Sequence, residues 1–177
     1  NRRVQELFRG NLAKSAGESK GTGRKVIINT YITLIQKPNT MKVSPYLNFN
    51  GNAEEAFNFY KSVFGGDFTA FMKMSDAPDS DKIPAEEKDR IMHISLPISE
   101  DITLMASDIL PSMGHSLNNG NNVYLSLHPN SKEEADRLFN GLSQNGDIEM
   151  PMADQFWGDY FGSFVDQFGV HWMINYN

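Results

Sequence analysis

The sequence predicts an α+β fold built from two βαβββ modules, with eight strands and two main helices. Three observations carry it. First, the chain repeats itself: Tyr46-Leu47-Asn48-Phe49, Asn52, Glu54-Glu55-Ala56 and Gly66-Asp67 recur as Tyr124-Leu125-Ser126-Leu127, Ser131, Glu133-Glu134-Ala135 and Gly146-Asp147, at offsets of 78, 79 and 80 residues. A repeat of this size that reads strand, helix, strand is a duplicated supersecondary unit. Second, Asn52 followed by Glu55, and Ser131 followed by Glu134, have the spacing of a capping box, which satisfies amide N–H groups left over at a helix start. Third, each helix is followed by short segments that alternate apolar and polar residues or run β-branched and aromatic.

The elements follow in order. Residues 45–50 form the first strand. Helix one carries Ala53, Ala56, Phe57, Tyr60 and Phe64 along one stripe and ends at Gly65-Gly66. Residues 67–74 alternate Phe68, Ala70, Met72 and Met74 against Thr69, Phe71 and Lys73, as a strand does. Residues 90–97 and 101–107 form a hairpin turning at Ser99-Glu100. Residues 122–128 are the fifth strand, and helix two carries Ala135, Leu138, Phe139 and Leu142, ending near Gly146. Residues 147–150, 161–166 and 170–176 complete the second module, with Asp166-Gln167-Phe168-Gly169 turning the last hairpin. Two connections are long: 75–89 is polar and reads as mostly solvated loop rather than a lid, and 108–121 joins the two modules.

Charge divides the chain. Residues 1–40 carry eight Lys/Arg against two Glu, a net of +6, while residues 41–177 carry eight Lys/Arg against twenty Asp/Glu, a net of −12. The sign change marks a domain boundary, so 41–177 reads as a single domain with modules at about 44–108 and 122–177. Residues 1–40 read as a basic extension outside the fold: the repeat leaves them out, and 15–23 is rich in Gly and Ser. The acidic part repels phosphate backbones, which argues against nucleic-acid binding. No apolar run approaches the roughly 20 residues that span a bilayer. The chain has no cysteine, hence no disulfide, thiolate site or cysteine nucleophile, and it fits a cytoplasmic setting.

At this point the residues resemble the vicinal oxygen chelate superfamily of glyoxalases, bleomycin-resistance proteins and extradiol dioxygenases, through its PhnB-like branch, the demethylubiquinone methyltransferase-like domains. The resemblance runs from Ser44 to Asn175. It rests on Phe156-Trp157-Gly158, Phe161-Gly162, Asp166, Phe168-Gly169-Val170 and Trp172-Met173-Ile174-Asn175, with Ser44-Pro45-Tyr46-Leu47 and Gly51-Asn52-Ala53. It implies a cupped eight-stranded mixed sheet with helices outside, a pocket inside the cup, and a homodimer. A methyltransferase activity does not follow, because no glycine-rich nucleotide loop succeeds a strand.

Metal-using members of the superfamily bind a divalent ion on the first and last strands of each module. The matching positions here are Pro45 or Tyr46, Met105, Tyr124 and Met173, none an imidazole or carboxylate. Hard divalent ions want oxygen or imidazole. We therefore expect no metal at these positions and no cofactor.

Strand alternation then sorts the faces. Leu47, Phe49, Val123, Leu125, Leu127, Trp172 and Ile174 suit packing under helices. That leaves Tyr46, Asn48, Met105, Ser107, Tyr124, Ser126, Met173 and Asn175 facing the cup, an apolar wall with a few hydrogen-bonding groups, as small-molecule sites have. Phe156 and Trp157 are candidates to close its mouth and stack on a flat or cationic ligand, or to pack at a dimer interface. Of the four histidines, His115 reads as solvated and His128 as near the rim. His93, in the middle of an apolar strand, is the candidate general base, against the commoner role of a hydrogen-bonded structural histidine. His93 and His171 with a nearby acid form a weaker, off-pattern metal candidate.

Three functions remain open at this level: a metal-independent protein that binds a small molecule, an isomerase or lyase of the glyoxalase type using His93 or a metal, and a non-catalytic dimeric interaction domain.

Overall fold

A computed structural model describes residues 42–177, and the basic extension 1–40 lies outside the described residues. Two βαβββ modules follow one another. The first comprises β1 (Tyr46–Phe49), α1 (Ala53–Phe64), β2 (Ala70–Lys73), β3 (Ile91–Pro97) and β4 (Thr103–Asp108). The second comprises β5 (Leu125–Leu127), α2 (Lys132–Leu142), β6 (Asp147–Asp154), β7 (Tyr160–Val165) and β8 (His171–Tyr176). The strands pair as two mixed four-stranded sheets, ordered β1-β4-β3-β2 and β5-β8-β7-β6. In each, the first strand of the module lies parallel to the last and the other neighbours are antiparallel. None of the described helices is long and apolar enough to cross a membrane.

The expected stripes form the core. Ala53, Ala56, Phe57 and Tyr60 of α1 and Ala135, Leu138, Phe139 and Leu142 of α2 are buried with Phe49, Ile91, Ile94, Leu96, Leu104, Ala106, Phe164, Trp172 and Ile174. The two helices touch closely. A Cβ on Gly141 would stand 2.9 Å from Val63 Cγ1, so a larger residue there would force Val63 or the helix to shift. What ties the modules together is aromatic packing between α1 and the last hairpin: Tyr60 meets Trp172 at 5.7 Å and Phe168 at 6.0 Å, and Phe59 meets Phe168 at 5.7 Å. Each helix therefore covers one face of its sheet, and no helix of the described residues lies on the opposite faces.

Two local readings need correction. Ser131 caps α2 as expected, accepting from the Glu134 N–H at 3.2 Å, but Glu134 reaches back to the Asn130 N–H rather than that of Ser131. Asn52 makes no side-chain cap at all. The start of α1 is capped from a distance by Asp108 at the end of β4, whose carboxylate accepts from Gly51 N–H at 2.7 Å, Ala53 N–H at 3.1 Å and Ile91 N–H at 2.8 Å. A carboxylate acceptor 55 residues away in sequence takes the place of the local amide side chain, which is a tertiary override of a local signal.

The first long connection is not uniform loop. It contains the short 3-10 turns Met74–Asp76, Ser80–Lys82 and Ala85–Glu87, which shorten β2 relative to the expected 67–74 strand. Its end is clasped to the inter-module connection: Glu87 is buried and its carboxylate accepts from the backbone N–H and hydroxyl of Ser112. Those bonds hold the Glu87 carboxyl below the usual carboxylate range.

Candidate functional site

The two helix-free faces gather the residues that strand alternation singled out. On the first sheet, register sets Tyr46 beside Met105 and Asn48 beside Ser107, with Ser95 beside Met105 on the next strand. Met72 of β2 opposes His93 of β3. Tyr46, Asn48, Met105, Ser107 and His93 therefore share one face, and Tyr46 is half-exposed on it. His93 finds its polar partner here: the Tyr46 hydroxyl lies 3.3 Å from His93 Nδ1, and the two rings stack at 5.8 Å. The Ser107 hydroxyl points to Asn48 Oδ1 at 3.5 Å.

On the second sheet, Ser126 pairs with Met173, Met173 with Ser163 and Asn175 with Phe161. Tyr124 stands just before β5, edge-on to the His171 ring at 4.8 Å. The Ser126 hydroxyl lies 3.1 Å from His128 Nε2 near the rim. Phe156 and Trp157 occupy the tight β6–β7 turn and contact each other edge-to-face at 4.9 Å. Phe156 is 97% exposed. Trp157 leans on Phe161 at 5.9 Å, which puts it at the Asn175 end of this face.

One residue of this face was not legible in the sequence. Glu149 sits where β6 gains an extra residue: Ile148 opposes Phe164 and Met150 opposes the adjacent Ser163. Such a bulge re-aims a side chain, and here it sends the Glu149 carboxylate over the sheet. It accepts from the Tyr124 hydroxyl at 2.9 and 3.1 Å and stands 3.6 Å from His171 Nδ1. β6 and β5 are the two edges of the sheet, so about 14 Å of flat sheet would separate them. The Tyr124–Glu149 hydrogen bond joins the two edges across this face. The carboxylate bonded to Tyr124 raises its phenol above the usual range. Alternation alone gives no warning of a bulge, and Glu149 lies between two apolar residues in a segment we expected to end at 150.

The metal positions implied by the resemblance hold only phenols and thioethers: Tyr46 beside Met105 on the first sheet, and Tyr124, just before β5, with Met173 of β8 on the second. These donors do not suit a hard divalent ion. Among the described residues no group of three or more His, Asp or Glu side chains is arranged to hold one. His93 and His171 lie in different sheets, His93 beside Tyr46 and His171 beside Tyr124 and Glu149. Nor do the residues fit a nucleotide cofactor at the β1–α1 turn. The Gly51 and Ala53 amides, which would have to face a phosphate, are taken by Asp108.

Comparison with known proteins agrees with this architecture. Residues 41–175 match the family model of 3-demethylubiquinone-9 3-methyltransferase. Protein YjdN of Escherichia coli K12 is 34% identical over 143 residues, covering 76% of this chain and 95% of YjdN. The crystal structure of protein PA1353 from Pseudomonas aeruginosa is 40% identical, with a TM-score of 0.69 over 78% of this chain and 98% of that one. A Bacillus cereus structure described as a putative 3-demethylubiquinone-9 3-methyltransferase, PhnB protein, is 25% identical, with a TM-score of 0.59 over 77% of this chain and 100% of that one. Glyoxalase/bleomycin resistance structures share the fold.

Proposed function

This chain belongs to the 3-demethylubiquinone-9 3-methyltransferase family, with the glyoxalase/bleomycin-resistance fold, and from that premise we propose that it binds a small molecule on its helix-free sheet faces without a metal ion. The observation that carries this reading is the wall formed by Tyr46, His93, Met105 and Ser107: aromatic and thioether surface with a few hydrogen-bonding groups, uncovered by either helix. The family's name is not taken as the activity, since the turn that would receive a nucleotide phosphate is already filled by Asp108.

The bound species is a cation or a flat neutral molecule. Residues 41–177 carry a net charge of −12, and a field of that sign gathers cations. The exposed rings of Phe156 and Trp157 offer faces on which a cation or flat ring can sit. The protein acts as a homodimer in this proposal. Ile148 and Met150 lie exposed on edge strand β6, as do Phe71 and Met72 on edge strand β2, and a second copy would cover them.

Thermal-shift screening of the full chain against a library of charged and neutral small molecules tests the reading. Cationic or neutral aromatic compounds are expected to raise the melting temperature, and Tyr46→Ala to weaken the hits about tenfold, the effect of removing one well-placed aromatic contact. Zinc, nickel or manganese added alone should leave the melting temperature unchanged. Hits that are all anionic, or a metal-induced rise of several degrees, would overturn the reading.

A further inference from the structure

The Tyr124–Glu149–His171 cluster has an unresolved account of hydrogen bonds. His171 Nδ1 is sealed from solvent and has no hydrogen-bond partner among the described residues. A buried nitrogen left without a hydrogen bond is costly, so its presence calls for a reason. Its nearest acceptor is Glu149 Oε1 at 3.6 Å, a separation that a small side-chain movement converts into a hydrogen bond. That bond forms only if Nδ1 carries the proton. Nε2 is then left as an acceptor. It has no protein partner among the described residues, and it is not sealed as Nδ1 is. The His171 side chain is 15% exposed and that of Glu149 34%, so both reach solvent from the helix-free face.

The surroundings select the kind of group that Nε2 and the carboxylate can meet. None of the strands of this sheet contributes a Lys or Arg to this face. Asp147 stands on the cross-strand row of His171, through Val165, and adds negative charge. An anion would meet Glu149, Asp147 and a lone pair, with no Lys or Arg from the described strands of this sheet to offset them. A protonated amine would meet an acceptor nitrogen, a carboxylate and the Tyr124 ring.

We propose that His171 Nε2 and the Glu149 carboxylate form the anchoring point for the protonated amine of a small ligand, with Glu149 holding His171 as its Nδ1–H tautomer and Tyr124 holding Glu149 in place. The ligand part rests on the small-molecule reading given above; the tautomer does not. Glu149 and Tyr124 act as positioning residues toward His171, and Glu149 also supplies charge.

Two measurements on the full chain test this. Nitrogen-15 NMR of the imidazoles, without ligand, reads the tautomer directly. His171 is expected to be Nδ1–H in the native protein and to revert to the Nε2–H form favoured by free histidine in Glu149→Ala, a change on an exposed edge strand that should leave the fold intact. Tyr124→Phe, which keeps the ring and removes the hydroxyl, should move the ratio the same way by a smaller amount. The second measurement titrates benzylamine, protonated at neutral pH, with benzyl alcohol and benzoate as neutral and anionic matches. Benzylammonium is expected to bind tightest, to lose about tenfold on Glu149→Ala, as a lost charge-assisted hydrogen bond does, and to weaken as salt rises. An Nε2–H tautomer in the native protein, or benzoate binding as well as benzylammonium, would overturn the proposal. A native Nδ1–H tautomer with no binding of any of the three probes would overturn the amine anchor while leaving the small-molecule reading to the library screen.

Discussion

Asp166→Ala is expected to lower stability by about 4 kcal/mol, among the largest losses available to a single substitution in this chain. Asp166 is 3% exposed and accepts four hydrogen bonds: from the Tyr60 hydroxyl at 2.7 Å, Trp172 Nε1 at 2.8 Å, Phe168 N–H at 2.9 Å and Val170 N–H at 3.0 Å. These donors belong to α1, the last turn and β8, so one carboxylate shapes the β7–β8 hairpin and bolts it to the helix of the other module. Removing it strands two buried side-chain donors and loosens the turn, each orphan costing about 1–3 kcal/mol. For a domain of this size the melting temperature should fall by roughly 10–20 °C, measured by calorimetry. Asp166→Asn should recover only part of the loss, because its NH2 group turns a donor toward donors.

The same contact makes an alkaline prediction. Burial first, then the Asp166 charge, push the Tyr60 phenol well above its ordinary 10.0. In the unfolded chain Tyr60 loses its proton as pH passes about 10, while in the folded chain it keeps it. The unfolded state then binds fewer protons than the native state, so stability falls as pH rises above that value. Tyr60→Phe should flatten this alkaline limb relative to the native chain in denaturant titrations at stepped pH. An identical limb in both would show that other groups produce it.

Asp108→Ala is the second large effect, expected at about 3–4 kcal/mol. It leaves the amides of Gly51, Ala53 and Ile91 without their acceptor, two of them buried, and it removes an anion from the positive end of α1. The consequence reaches the site. Phe49 and Asp108 pair at the end of β1, one residue from Asn48–Ser107 and three from Tyr46–Met105 along the same ladder, so the loss frays the strand that carries Tyr46. Asn52→Ala sharpens the test. A working local cap would lose about 1 kcal/mol on that change, whereas the structure gives Asn52 no capping bond, so a loss under about half of that is expected. A large loss for Asn52→Ala with a small one for Asp108→Ala would reverse the assignment.

How much of this was readable beforehand differs by kind of feature. The helix stripes were readable because a buried face of α1 or α2 must recur every three to four residues, and Phe57, Tyr60, Leu138 and Phe139 do so whatever lies opposite. The faces of β1, β4, β5 and β8 were readable because side chains alternate, so Tyr46, Met105, Ser126 and Met173 emerged together. His93 was read as a polar ring that needs a partner, and the structure puts the Tyr46 hydroxyl, 47 residues away, beside its Nδ1. Ends were less legible: β6 runs to Asp154 rather than 150, because its bulges break the alternation that marks a strand.

The sequence by itself determined the duplicated βαβββ order, the two apolar helix faces and the set of side chains left on the helix-free faces. All of these are periodic or repeated signals that one stretch of chain carries alone. Only the tertiary structure decided that Asp108 rather than Asn52 caps α1, that Asp166 joins the modules through Tyr60, and that Glu149 meets Tyr124 and His171. The reason is physical. A carboxylate satisfies whichever donors the fold brings within about 3 Å, and that choice depends on register, bulges and helix packing rather than on its neighbours in sequence.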